Sequence, residues 1–215
     1  MDKISIAIDG PAGSGKSTVA KCVAKKMGIT YLDTGAMYRA VTYAVISNNI
    51  AFTDLKSIQT IVENIEIDFI DGELHLNGEN VSEAIRLPNI NQNVSAIAAF
   101  GIVREKLVSM QKKIASNKSI VMDGRDIGTK VIPNASFKFF LTASIEERAR
   151  RRYKEMIKKG LDVDLRGLME EIRMRDYEDT NRDISPLKQA DDAILIDTTK
   201  YNIEEVVDCI LKYAQ

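Results

Sequence analysis

The chain has 215 residues, 45% of them hydrophobic, which suits one large domain or a core with inserted lobes that buries about 70% of its unfolded surface. Lys and Arg number 30 against 31 Asp and Glu, a formal net charge of −1, and this excludes a long-range pull on nucleic acid or on an anionic membrane. Cys22 and Cys209, far apart, and the single His75 give neither a disulfide framework nor the ligand spacing of a zinc site.

The short apolar run Ile4 to Ile8 reads as a buried strand. It leads directly into Gly10-Pro11-Ala12-Gly13-Ser14-Gly15-Lys16-Ser17, a match to G-x-x-x-x-G-K-[ST]. In that pattern glycines let successive backbone N–H groups curl around an anion, and the positive end of the following helix faces the same anion. Lys16 is placed to reach the terminal phosphates, and the Ser17 hydroxyl to ligate Mg²⁺. The following helix, Val19 to Met27, ends at Gly28. No signal peptide is read at the start, because the apolar run is short and enters the loop at once, and no later stretch is long enough to span a bilayer. A cytoplasmic protein is the expectation.

Thr30 to Leu32 reads as a second strand, and Asp33-Thr34-Gly35 opens a helix over Ala36 to Val41 that carries Arg39. Free N–H groups at such a junction suit a second anion, with Arg39 adding a charge-assisted bond. Asp33 and Thr34 as plain helix caps remain the simpler alternative. Residues 53 to 90 change texture: Ile65 to Phe69 alternates, Asp71-Gly72 and Asn77-Gly78 are turn signals, and Leu74-His75-Leu76 lies between them. This reads as a small antiparallel β-unit inserted in an α/β chain, with His75 a surface or edge residue rather than a ligand.

Residues 91 to 115 are helical in pattern and carry Ser95 and Arg104. In an unbroken helix these two would point to nearly opposite sides, so a shared ligand demands a break, best placed at Phe100-Gly101. The buried strand Ser119 to Met122 ends in Asp123-Gly124-Arg125-Asp126, where open α/β sheets bind ligands. The strand Phe137 to Leu141 precedes a helix with Arg148, Arg150, Arg151, Arg152, Lys154, Lys158 and Lys159, closed by Gly160. So dense a cation cluster in a chain of balanced charge reads as a lid that closes on phosphate, against the alternative of a solvated face. A polar helix over Leu168 to Asp183 puts Arg175, Asp179 and Arg182 on one face, a set suited to internal salt bridging or to a ribose and a phosphate. The strand Ala193 to Ile196 and a helix from Ile203 to Tyr213 complete the chain.

Strand and helix alternate around the phosphate loop, so an α/β architecture with a parallel sheet covered on both faces is expected. Together, the Asp9-to-Ser17 loop, Leu32 to Arg39, Ser95 with Ala98-Ala99-Phe100 and Val103-Arg104, Asp123-Gly124-Arg125-Asp126-Ile127-Gly128-Thr129, and Arg175-Asp176 with Asp179 and Asn181-Arg182 resemble the bacterial cytidylate kinases, within the nucleoside monophosphate kinases. Thr34 stands where related sequences often have Ser. The resemblance covers nearly the whole chain and implies a three-layer P-loop NTPase fold with a five-stranded parallel sheet ordered 2-3-1-4-5. It implies one domain over 1–215: a core of 1–32, 101–147 and 166–215, an inserted monophosphate-binding lobe over 33–100, and a helical lid over 148–165.

The implied activity is transfer of the γ-phosphate of ATP to CMP and dCMP in a monomer with small-molecule partners only, neither nucleic acid nor membrane. ATP would lie on residues 10 to 18, including Thr18, with Lys16, and with Mg²⁺ on Ser17. Arg39, Arg125 and Arg182 would take the acceptor phosphate, Thr34 would join the substrate-binding residues, and Arg148 and Arg152 would meet the moving charge. Arg175 and Asp179 are left for the ribose, and Ser95, Arg104 and Asp126 for the cytosine. Two rivals keep the loop and change the function: another small-molecule kinase, of UMP or shikimate type, and a nucleotide-dependent switch protein. The second lacks the guanine-reading N-K-x-D, since Asn117-Lys118 runs into Ser119-Ile120.

Overall fold

The computed structural model describes residues 3–158 and 160–214, so Lys159 of the cation cluster lies outside the described residues. The chain divides into two compact units, Asp33–Ile114 and the remainder, Met1–Leu32 with Ala115–Gln215.

The larger unit is built on a five-stranded sheet. Its strands are β1 (Ser5–Asp9), β2 (Thr30–Asp33), β6 (Ile120–Gly124), β7 (Phe137–Thr142) and β8 (Ile194–Asp197), in spatial order β2-β6-β1-β7-β8. Counting these five strands alone, the order is 2-3-1-4-5, as expected. The pairings of β1 with β6, β1 with β7 and β7 with β8 are parallel. β1 is central and almost wholly buried because parallel strands covered by helices have no wet face. Helices α1 (Lys16–Met27) and α8 (Ile203–Tyr213) pack an apolar stripe on it, with Val19, Val23, Val206 and Ile210 meeting Ile6, Ile8 and Phe139. Asn202 and Glu205 form a reciprocal capping box that sets the start of α8. A second cluster, Ala149, Leu168 and Ile172, joins α6 (Ile145–Lys158) to α7 (Leu165–Asn181). α7 begins three residues before the expected Leu168, because the Asp164 carboxylate accepts the Gly167 N–H and caps the first turn.

The smaller unit holds α2 (Thr34–Ser47), α3 (Leu55–Asn64) and an antiparallel sheet of β3 (Ile67–Ile70), β4 (Glu73–Leu76) and β5 (Glu79–Asn80), followed by α4 (Pro88–Ala99) and most of α5 (Gly101–Ser116). The two hairpin turns are Asp71-Gly72 and Asn77-Gly78, all four residues at positive φ, the geometry that matches the twist of the strands they join. The helical pattern read over 91–115 is two helices: Phe100 leaves the helical region at φ −71 and ψ 124, and α5 restarts at Gly101.

Candidate functional site

The phosphate loop begins where β1 stops. Gly10 takes φ +145, and a Cβ there would lie 2.0 Å from the Leu141 carbonyl oxygen, so only glycine lets the loop leave the sheet this close to β7. Gly15, at φ 89, caps α1 without a side chain. The buried Lys16 folds back across the loop and donates to the Pro11 carbonyl at 2.7 Å and to Ser14 Oγ at 3.4 Å. Burial, and then the nearby Arg125 guanidinium, push its pKa down to about 7. Asp123 and Asp9 act in the opposite sense without overcoming that fall. Thr18 is exposed on the first turn of α1.

The loop is braced from outside by Thr198, which the sequence does not single out, and by arginines of the cation cluster. Thr198 Oγ1 donates to the Ser14 carbonyl at 3.2 Å, and Arg151 holds Thr198 through its carbonyl at 2.6 Å. Arg148 is 4% exposed and donates to Ala12 O at 3.0 Å, to Ala143 O at 2.9 Å and to Asp176 at 2.6 Å. Arg152 faces Glu171 at 3.6 Å. Arg148 and Arg152 of the expected cation cluster are thus met by carboxylates of the protein itself, and any contact of either with a moving phosphoryl group requires those pairs to open. Ser17 Oγ donates to Asp123 Oδ2 at 2.7 Å, while Tyr31 OH donates to the other oxygen at 2.8 Å. Asp9, by contrast, spends both oxygens on backbone, accepting from Ile127 N at 2.8 Å and Gly128 N at 2.7 Å.

A second polar constellation in the larger unit joins the end of β6 to α7. Arg125 Nε donates to Asp179 Oδ2 at 2.7 Å. Arg182 caps the C-terminus of α7, donates to Ser185 O at 2.7 Å, and lies 3.7 Å from Asp179 and 3.9 Å from Asp126. Burial alone would raise the Asp179 carboxyl, but Arg125, Arg175 and Arg182 overcome it and hold the group below the usual carboxylate range. The structure therefore brings Arg125, Asp126, Arg175, Asp179 and Arg182 together, with more positive than negative charge.

Within the smaller unit, Asp33 caps α2 by accepting Ala36 N at 2.8 Å, and it also pairs with Arg39 at 3.0 Å. Asp33 is thus the helix cap that the simpler alternative expected, and the same carboxylate occupies Arg39. Thr34 is buried at the head of α2. The break at Phe100 turns α5 so that Arg104, 2% exposed, donates back to Ala98 O at 3.2 Å and lies over the Tyr38 ring at 5.4 Å. Ser95 is buried on α4. His75, expected at a surface or edge, instead lies partly buried on the middle strand β4, opposite Asp68 on one side and Asn80 on the other, because both flanking hairpins pair with that strand. Among the described residues no three His, Cys, Asp or Glu side chains cluster as a metal site, and no helix is long and apolar enough to cross a membrane.

A phosphate loop at the end of the central strand of a parallel sheet defines the class: a P-loop nucleotide-binding protein. Solved structures share the fold. An uncharacterized protein from Eubacterium ventriosum has a TM-score of 0.54 at 16% identity, with 98% of each chain covered. A shikimate kinase from Bacteroides thetaiotaomicron has a TM-score of 0.52 at 15% identity, with the same coverage. Sequence narrows the class. The family model for cytidylate kinase matches residues 6–215. A cytidylate kinase from Fusobacterium nucleatum is 51% identical, covering 99% of this chain and 97% of its own, and one from Ligilactobacillus salivarius is 53% identical, covering 98% and 96%. The chain belongs to the cytidylate kinase family.

Proposed function

We propose that the protein transfers the γ-phosphate of ATP to CMP and dCMP, yielding ADP with CDP or dCDP. The observation that carries this is the phosphate loop, with the buried Lys16 folded across it, in a chain of the cytidylate kinase family. Phosphoryl transfer is a matter of aligning two anions and screening their repulsion. The acceptor phosphate has a second pKa of about 6, so it is largely dianionic at neutral pH and needs no general base.

The backbone of residues 10 to 18 holds the ATP phosphates, and Lys16 reaches the terminal ones. Hard oxygen ligands side by side, Ser17 Oγ and Asp123, suit Mg²⁺, which keeps several waters and binds through one or two carboxylates plus phosphates. When bound, that ion screens the charge on the donor phosphates. Arg39, Arg125, Arg182 and Thr34 hold the acceptor phosphate, while Arg175 and Asp179 hold the ribose. Arg148 and Arg152 follow the moving charge once Asp176 and Glu171 release them. Residues 33–100 act as the acceptor-binding lobe and 148–165 as the lid, in a cytoplasmic monomer.

Cytosine offers an amino donor at N4 and acceptors at N3 and O2, which a carboxylate with an arginine complements, and Asp126 and Arg104 with Ser95 fill those roles. Uracil O4 would face the carboxylate and leave it unpaired. An acceptor panel of CMP, dCMP, UMP, AMP and shikimate with Mg²⁺ and ATP tests the reading. CMP and dCMP should dominate, and turnover of shikimate or UMP in their place would overturn it.

A further inference from the structure

We infer that Asp9 is a positioning residue for base selection: it caps the turn after Asp126 from a different strand, so that the Asp126 carboxylate is released from capping that turn itself. The inference deepens the proposed function and rests on Asp126 reading the base. The turn Ile127–Val131 is tight, with Lys130 N and Val131 N both bonded to Asp126 O at 2.8 and 3.2 Å. Asp126 is its N-cap residue, and an aspartate there ordinarily accepts the N–H of the second or third residue of the turn. Here Asp126 makes no such bond. The second-residue donor it would satisfy, Gly128 N–H, goes instead to Asp9 Oδ2, and the neighbouring Ile127 N–H goes to Asp9 Oδ1, both on the carboxylate buried at the end of β1.

Gly128 makes this crossing feasible. A Cβ there would come 3.4 Å from Asp9 Oδ2 and 3.2 Å from Lys138 Cδ. Burial pushes the Asp9 pKa up to about 6, with the two N–H groups and Lys16 opposing and Asp126 adding to the rise. The carboxylate is therefore held at neutral pH by the bonds it makes. The next residue along β1 is Gly10, so one side chain fixes the base-reading acid relative to the phosphate loop.

Without the Asp9 carboxylate, two N–H groups lack an acceptor and Asp126 is the nearest replacement by chain position. The test is kcat/KM for CMP and for UMP in wild type, Asp9→Asn, Asp126→Ala and the double variant, with ATP affinity measured separately. Asp9→Asn should narrow the CMP-to-UMP ratio by about tenfold, with ATP affinity held within about threefold. In the Asp126→Ala background it should leave the ratio unchanged, because the two residues act in series. A purely structural role would lower both acceptors equally or act equally in both backgrounds, and either result overturns the inference, as does a selective loss of ATP affinity. If Asp9→Asn does not fold, Gly128→Ala perturbs the same bond with the carboxylate kept, and it should narrow the ratio in the same direction; no narrowing refutes the idea. Asp126→Ala alone that leaves the ratio intact refutes the base assignment itself, a separate failure.

Discussion

Asp179→Asn removes the carboxylate that balances three arginines while leaving the shape of the side chain nearly intact. In the native pair Arg125 Nε sits 2.7 Å from Asp179 Oδ2, and the two side chains are 18% and 5% exposed. Breaking a buried pair by removing one partner costs about 3–5 kcal/mol, because the other charge stays buried without compensation. Arg125 keeps some exposure, so the lower end, about 3 kcal/mol, applies, which for a chain of this length lowers Tm by roughly 6–12 °C. The sign with pH follows from the depressed carboxyl: its folded pKa lies below the unfolded value of about 3.9, so the stabilisation is complete above that value and disappears as pH falls through the folded one. The difference between wild type and variant should therefore be full at pH 7 and shrink in acid. Inorganic phosphate should raise the Tm of the variant more than that of wild type, since the anion replaces the missing charge among Arg125, Arg175 and Arg182. Thermal melts with and without phosphate measure both effects. A loss under about 1 kcal/mol, or equal phosphate gains in the two proteins, would refute the view that this cluster carries surplus positive charge.

Three further outcomes are expected. Asp126→Ala should narrow the preference for CMP over UMP by about tenfold or more, read as the ratio of kcat/KM values, because a site built around one hydrogen-bonding pattern rejects its reverse strongly. Asp123→Asn should raise the Mg²⁺ concentration needed for half-maximal rate by about tenfold or more, with CMP affinity unchanged, since it weakens the oxygen set beside Ser17. Gly10→Ala should fail to give soluble protein or lose more than about 3 kcal/mol in urea unfolding, because its Cβ would lie 2.0 Å from backbone oxygen that β7 cannot move without breaking the sheet.

Most of the architecture was legible because its signals are local. The apolar run before Gly10, the two Asx-Gly turns and the stripe from Ile203 to Tyr213 each specify their element within a few residues, and α8 begins and ends where its periodicity does. The helix break was also legible, from the demand that Ser95 and Arg104 serve one ligand, although propensity alone gives no reason for Phe100 to leave the helix. What was not legible were pairings across long separations. Asp9 reaches Ile127 across 118 positions, Arg125 reaches Asp179 across 54, and Arg148 reaches Asp176 across 28. Periodicity reports which face a residue is on, and it is silent about which acid of another element comes alongside. For that reason the cations of α6 looked as if only polyphosphate could satisfy them.

Those pairings change how the site's electrostatics should be understood. Arg39 rests on Asp33, Arg125 on Asp179, Arg148 on Asp176 and Arg152 on Glu171, so four arginines assigned to phosphate already have carboxylate partners. A buried guanidinium without an anion would be costly to fold, so each is stored with an acid. Binding is then an exchange of anions, and its selectivity lies in the difference between a carboxylate and a phosphate as acceptors rather than in raw attraction. A dianionic phosphate offers three oxygens and more charge, so it displaces a single carboxylate where a monoanion cannot. Lys16 stands apart, for its bonds go to a carbonyl and a hydroxyl and its proton is held weakly.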